Sequence, residues 1–417
     1  MKITSINAKE ILDSQGLPTI LCEVQLKDGA ILKASVPSDF SKNKYVATQL
    51  RDGGKRLMGM GVTRAIENIN KIIAPKFVGK DPNAVEMDLE MIQMDGSTNK
   101  SNLGANAILA VSMAIYRAHA YVEQLELFDL LALVSDSESV SLPLPMINFI
   151  GGQGIEEGHN LAIREFLAIP YGSQNIKKAL ESSVVLFYKL QETLKENNKP
   201  VAIGSEGEII SNFKKDTEPL DLILETIKQN KASNLDAFML AIDVSAGKFY
   251  NSKEKTYILN GKELQADGLI TFYAKLFENY NLFSIEDPLA EADWDNWQRL
   301  TKVLSANMNI VGDNIFATNP ERIAYGIEIA AANTAVIKPS QIGTITESLQ
   351  AIQLCKEAGW NTIAAHSPLE TNDTFIVDLS IGASTEYLKC GGLSRGERTS
   401  KYNRLLEIET LLNSSRS

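Results

Sequence analysis

Five short apolar runs, each closed by an ionisable side chain, set the tightest limit on what this chain can fold into. AFMLAID ends at Asp243, LFSIE at Glu286, MNIVGD at Asp313, TAVIK at Lys338 and TIAAH at His366, with steps of 43, 27, 25 and 28 residues between the closing positions. Helical segments fill the spaces between the last four. Thr318, Asn319, Pro320 and Glu321 form an N-cap region with proline in the first turn, and ITESLQAIQLCKEAG closes on Gly359. Strand and helix units repeated at this length predict parallel strands joined by right-handed crossovers, an α/β fold. Closure of such a sheet into a (β/α)8, TIM-like barrel would bring every closing residue to the carboxyl-end face, where barrel enzymes build their sites.

A single aspartate after a strand is usually a helix cap. Five ionisable residues in succession at the same point of a repeat are not explained that way. Asp243, Glu286 and Asp313 in one cleft cannot all stay ionised unaided, so the pattern predicts a bound divalent cation. Three carboxylates without histidine or cysteine form a hard oxygen site that suits Mg2+. Lys338 on the next run would stand near that cation. With Lys389 as a second ammonium, its pKa is expected to fall toward the range of a general base. These residues suit metal-assisted removal of a carbon-bound proton beside a carboxylate. An acid completing an elimination is sought in Glu206, in the glycine-bounded stretch AIGSEGEI, or in Glu165 of AIREFLAIP.

The remainder of the chain organises around that barrel. At 417 residues two domains are expected. Residues 1–132 read as a smaller α+β domain, with strands over 3–10 and 18–26, a turn at Lys27, Asp28 and Gly29, and a helix in GVTRAIENINKIIAPKF that Thr63 can cap. The serine-rich stretch 133–142 reads as a linker, and 143–417 as the barrel. The apolar segment LGANAILAVSMAIYRAHA is interrupted by Asn106, Ser112 and Arg117, so it reads as a buried helix rather than a membrane span. A net charge of -11 offers no basic stripe for nucleic acid or anionic membranes, which leaves a small anion held by local lysines or metal. Cys22, Cys355 and Cys390 are odd in number and widely spaced, hence reduced thiols in a cytoplasmic chain.

Longer motifs add a resemblance. DSQGLPT at 13–19, MDGSTNKSNLGANAILAVS at 94–112, SIEDPLAEADW at 284–294, VGDNIFATNPERI at 311–323, IKPSQIGTITES at 337–348 and SRGERTSKYNRLLEIE at 394–409 resemble, in order and spacing, the motifs of the enolase family. The resemblance implies a phosphopyruvate hydratase of glycolysis, dehydrating 2-phosphoglycerate to phosphoenolpyruvate, with a homodimer formed through the amino-terminal domain. It also implies roles. Asp243, Glu286 and Asp313 match the magnesium ligands, Lys338 the base, Glu206 the acid and Glu165 its partner. Lys389 matches the lysine on the substrate carboxylate, His366 the histidine near the leaving hydroxyl, and Ser41 the loop serine that reaches a second magnesium. His159, in a region that departs from the family pattern, is taken as a displaced equivalent of a further substrate-site histidine.

Departures from the family pattern gather around one function. Where the family follows the histidine with an arginine and a serine that hold phosphate, this chain has Ser367 and Pro368. Neither supplies the guanidinium fork that grips phosphate at two points. Lys42 and Lys44 add charge to the first loop, and Gln15 replaces an arginine of the family's dimer contact. Two other readings therefore stay open: the same proton abstraction on a related acid such as a phosphonate, and a non-catalytic binding protein.

Overall fold

The computed structural model describes residues 1–39, 43–137, 139–155, 158–230, 238–259 and 261–414. Near the amino terminus, β1 (Ile3–Leu12), β2 (Pro18–Leu26) and β3 (Ile31–Ser35) form an antiparallel meander. Helix α1 (Ala105–Glu123) packs on β2 and β3 and is buried along most of its length, as its almost unbroken apolar sequence requires. The expected helix at 63 starts where the sequence places it, but Thr63 does not cap it. Asp52 does so from a distant loop, accepting hydrogen bonds from the backbone N–H groups of Thr63 (3.0 Å) and Arg64 (2.9 Å). His119 of α1 accepts from the Ala84 backbone at 3.4 Å, a structural contact.

Eight strands close the barrel: β4 (Leu144–Gly151), β5 (Glu165–Ile169), β6 (Met239–Asp243), β7 (Ser284–Glu286), β8 (Asn309–Gly312), β9 (Thr334–Ile337), β10 (Asn361–Ala365) and β11 (Tyr387–Lys389). They pair in chain order, and β11 returns to β4 to complete the ring. The five apolar runs are β6 to β10, all parallel. One strand breaks the expected pattern, since β5 runs antiparallel to both β4 and β6. The cause is local: no helix separates Gly151 from Glu165 among the described residues, and a parallel return needs a crossover that a helix normally supplies. Between β9 and β10, α2 (Ile345–Glu357) begins with Thr344 as its N-cap, accepting from Glu347 N at 3.1 Å.

Polar contacts fix the small domain onto the barrel. Arg117 of α1 grips Asp373 at 2.7 and 2.8 Å, and the same carboxylate accepts from Ser35 N at 2.9 Å. Lys100 reaches Glu347 at 2.9 Å, and Ser38 pairs with Leu369 as an isolated bridge. Residues 36–39 are thereby laid against the barrel's carboxyl-end mouth. The three cysteines are buried and unbonded to one another. No helix among the described residues is long and apolar enough to cross a membrane.

Candidate active site

Strand register assembles the site. Asp243 is paired with Glu286 across β6 and β7 and with Glu165 across β5 and β6, so three carboxylates stand in one row. Glu165 joins it because β5 runs backwards and its amino end lies at the carboxyl end of its neighbours. Asp313 follows β8, and its turn is held by a residue the sequence did not single out. Buried Asp287 accepts from Asp313 N at 3.0 Å and from Asn314 Nδ2 at 2.5 Å.

Two ammonium groups enter among these carboxylates. Lys389 Nζ lies 2.8 Å from Glu286, 2.9 Å from Glu165 and 3.4 Å from Asp243, while Lys338 Nζ lies 2.5 Å from Asp313. Gln341 Nε2 donates to the other oxygen of Asp313 at 2.8 Å. Among the described residues, no three of His, Cys, Asp or Glu converge as a ready metal cage; the lysines stand between them. Glu165, Glu206, Asp243, Glu286, Asp287 and Asp313 still outnumber the cations at the mouth, Lys338, Lys389, Arg164, Arg398 and Lys248, which favours an added cation. Burial, reinforced by Asp243 and Asp313, pushes the Glu286 carboxyl up to about 8. An all-oxygen donor set with surplus negative charge fits magnesium.

The expected fall in the Lys338 pKa is not met by these side chains. Burial works against its ammonium, but Asp313 and Glu286 outweigh burial and the repulsion of Lys389, so the pKa lies above its ordinary value. The expected fall depends on a bound cation beside the lysine; without one, the carboxylates nearest it hold its proton on.

Glu206 stands on a tight turn between two short strands, Ala202–Ile203 and Ile209–Ile210. Gly207 in that turn has φ +84, and a Cβ there would meet Ser394 O at 2.3 Å, so the close approach needs glycine. Glu206 accepts from Arg164 Nη2 at 2.7 Å and lies 3.6 Å from His366 Nε2. Burial opposes ionisation of Glu206, but Arg164 and then Arg398 hold its pKa below the ordinary value. Arg398, fully buried, donates to His366 Nδ1 and to the carbonyls of Ser367 (2.9 Å) and Pro368 (2.6 Å). Nδ1 also lies 3.1 Å from the Ser367 carbonyl, but that oxygen already accepts from Arg398 and a guanidinium only donates; with Nδ1 as its acceptor the imidazole proton sits on Nε2, facing Glu206.

Family models described as "Enolase, N-terminal domain" and "Enolase, C-terminal TIM barrel domain" match residues 3–131 and 139–417. A curated enolase from a Nitratiruptor species is 40% identical over 410 residues, 98% of this chain and 96% of that protein. The chain belongs to the enolase family. Its activity is that of an enolase-type hydro-lyase, and the similarity favours this over the phosphonate and non-catalytic readings.

Within this enolase fold the sequence-predicted residues separate. Lys338, Glu206, Glu165, His366, Lys389, Asp243, Glu286 and Asp313 gather at the barrel mouth. His159 packs against Gly154 and lines neither cavity described below, and Ser41 and Lys42 lie outside the described residues. Lys44 sits on the surface, 5.0 Å from the Tyr45 ring. Burial, then Arg398, lowers the His366 pKa well below 6.5. Above about pH 6.5 both folded and unfolded chains carry neutral histidine; below it the unfolded chain gains a proton that the folded site refuses, so stability falls. The His366→Asn variant is therefore expected to lose less stability than the parent on acidification from about pH 7.5 to about 5 in denaturant titrations. Equal losses would show His366 protonating freely.

Proposed function

We propose that this chain dehydrates 2-phosphoglycerate to phosphoenolpyruvate with Lys338 taking the C2 proton and Glu206 delivering a proton to the departing C3 hydroxyl. The observation that carries the assignment is the placing of the two groups. A cavity of about 580 Å3 is lined by Lys338 and Asp313, an adjoining one of about 520 Å3 by Glu206 and Glu165, and Arg164, Lys248 and Pro368 border both. A substrate spanning them meets Lys338 on one side and Glu206 on the other; the side chains alone hold Lys338 protonated and Glu206 ionised, so the two roles require the charges of bound substrate and cation to reverse both shifts.

Lys389, central among the carboxylates, is read as the partner of the substrate carboxylate. Neutral His366, with its Nε2–H toward Glu206, orients the acid, and Glu165 shares the proton-bearing side of the pocket. Asp243, Glu286 and Asp313 would hold Mg2+, with Ser41 a ligand of a second ion. When bound, magnesium supplies positive charge where the substrate carboxylate gathers electron density. The family reading further makes the chain a cytoplasmic homodimer paired through its amino-terminal domain.

The test follows absorbance of the enol product from 2-phosphoglycerate with magnesium, together with solvent deuterium exchange at C2. The Glu206→Gln variant is expected to lose turnover while keeping C2 exchange, because the base is intact. Loss of exchange along with turnover would remove Glu206 from the acid role, and an inactive parent chain would sink the substrate assignment.

A further inference from the structure

The two residues that follow His366 offer no free donor for a phosphoryl group. Ser367 is buried, its Oγ shares a 2.7 Å hydrogen bond with Ser340 Oγ and its N–H donates to Glu370 at 3.0 Å. Pro368 has no N–H. The nearby cations are largely engaged: both terminal nitrogens of Arg398 are bound to main-chain carbonyls and His366, leaving only its buried Nε without a hydrogen bond among the described residues, and Lys401 pairs with Glu370 at 3.0 Å. A substrate carrying a phosphoryl dianion must be neutralised elsewhere.

Arg164 and Lys248 remain. They come from different segments, the entry to β5 and the turn after β6, yet both border both cavities, as Pro368 does. Among the described residues the Arg164 guanidinium makes one hydrogen bond, to Glu206 at 2.7 Å. Its other carboxylate neighbours, Glu165 at 3.7 Å and Asp243 at 3.9 Å, are beyond hydrogen-bond reach, so most of its five donors are available. The Lys248 ammonium makes no ion pair or hydrogen bond among the described residues, and the residue is exposed at the mouth, where an incoming anion can reach it. Desolvation by its neighbours first, then the charge of Arg164, lowers its pKa, and an anion between the two cations would offset that repulsion.

We propose that Arg164 and Lys248 form a relocated subsite for the substrate's phosphoryl group, replacing the grip that Ser367 and Pro368 cannot provide. The planar fork of Arg164 takes two phosphoryl oxygens and Lys248 adds a point charge. The proposal rests on the hydro-lyase reading above for the identity of the anion, but inorganic phosphate tests the subsite directly.

The full chain with magnesium is assayed on 2-phosphoglycerate, and inorganic phosphate is used both as an inhibitor and in titration calorimetry. For Lys248→Gln, KM is expected to rise about ten- to a hundredfold, more than kcat falls, and phosphate inhibition to weaken by a like factor. Arg164→Lys, which keeps charge without the fork, should be affected in the same direction but less than Arg164→Gln. If the parent chain is active and all three variants, shown folded by thermal melting, keep its KM and phosphate inhibition, the subsite is overturned and the hydro-lyase reading stands. If the parent chain is inactive on 2-phosphoglycerate but binds phosphate in a manner that Lys248→Gln abolishes, the subsite stands and the substrate assignment falls. Phosphate binding that is absent, or indifferent to these substitutions, overturns the subsite.

Discussion

The Lys338→Ala variant is expected to turn over 2-phosphoglycerate at least about a thousandfold more slowly than the parent chain, the range associated with removing a positioned base. It should also lose solvent exchange at C2, which Glu206→Gln keeps. The fold should survive. The Lys338 backbone N–H donates to Thr318 Oγ1 at 2.8 Å whatever the side chain, and Asp313 retains Gln341 and a turn tied to Asp287. Unpairing Asp313 from its ammonium carries a cost, and an unchanged far-UV spectrum with a modestly lowered melting midpoint would report it. Turnover within about tenfold of the parent would show that another group accepts the proton.

The same lysine marks how far the sequence could be read. The closing residues of β6 to β10 were legible because a barrel converts chain spacing into spatial convergence: a run length and a step of 25 to 28 residues suffice to put Glu286, Asp313, Lys338 and His366 on one face. Glu165 was legible as a candidate, but the reason for its place was not, since strand direction depends on the missing crossover before β5. Asp287 was hidden by the more conspicuous Glu286 beside it. Arg164 and Lys248 were hidden for another reason: each lies one or a few residues from a candidate carboxylate, and only three-dimensional closure shows that both border the same two cavities. The signal was present as a cation directly preceding Glu165 in AIREF, where an apolar strand begins.

Magnesium is the second large effect expected. Chelation should abolish turnover, and added magnesium should restore it. Independently of activity, magnesium at about a hundredfold over its dissociation constant should stabilise the parent chain by about 2.7 kcal/mol, seen as a raised melting midpoint. The physical reason is the surplus of buried carboxylates over cations around Asp243 and Glu286, a like-charge cluster relieved by a divalent ion and only partly by Lys389. The Glu286→Gln variant keeps the shape of the central residue and removes the carboxyl that would ionise to hold the metal, so it should lose both the magnesium-induced rise and the turnover. That pairing separates a metal site from a general salt effect, which would raise the midpoints of parent and variant alike. Turnover that survives chelation would remove the metal from the reaction and leave Lys389 as the sole positive charge on the substrate carboxylate.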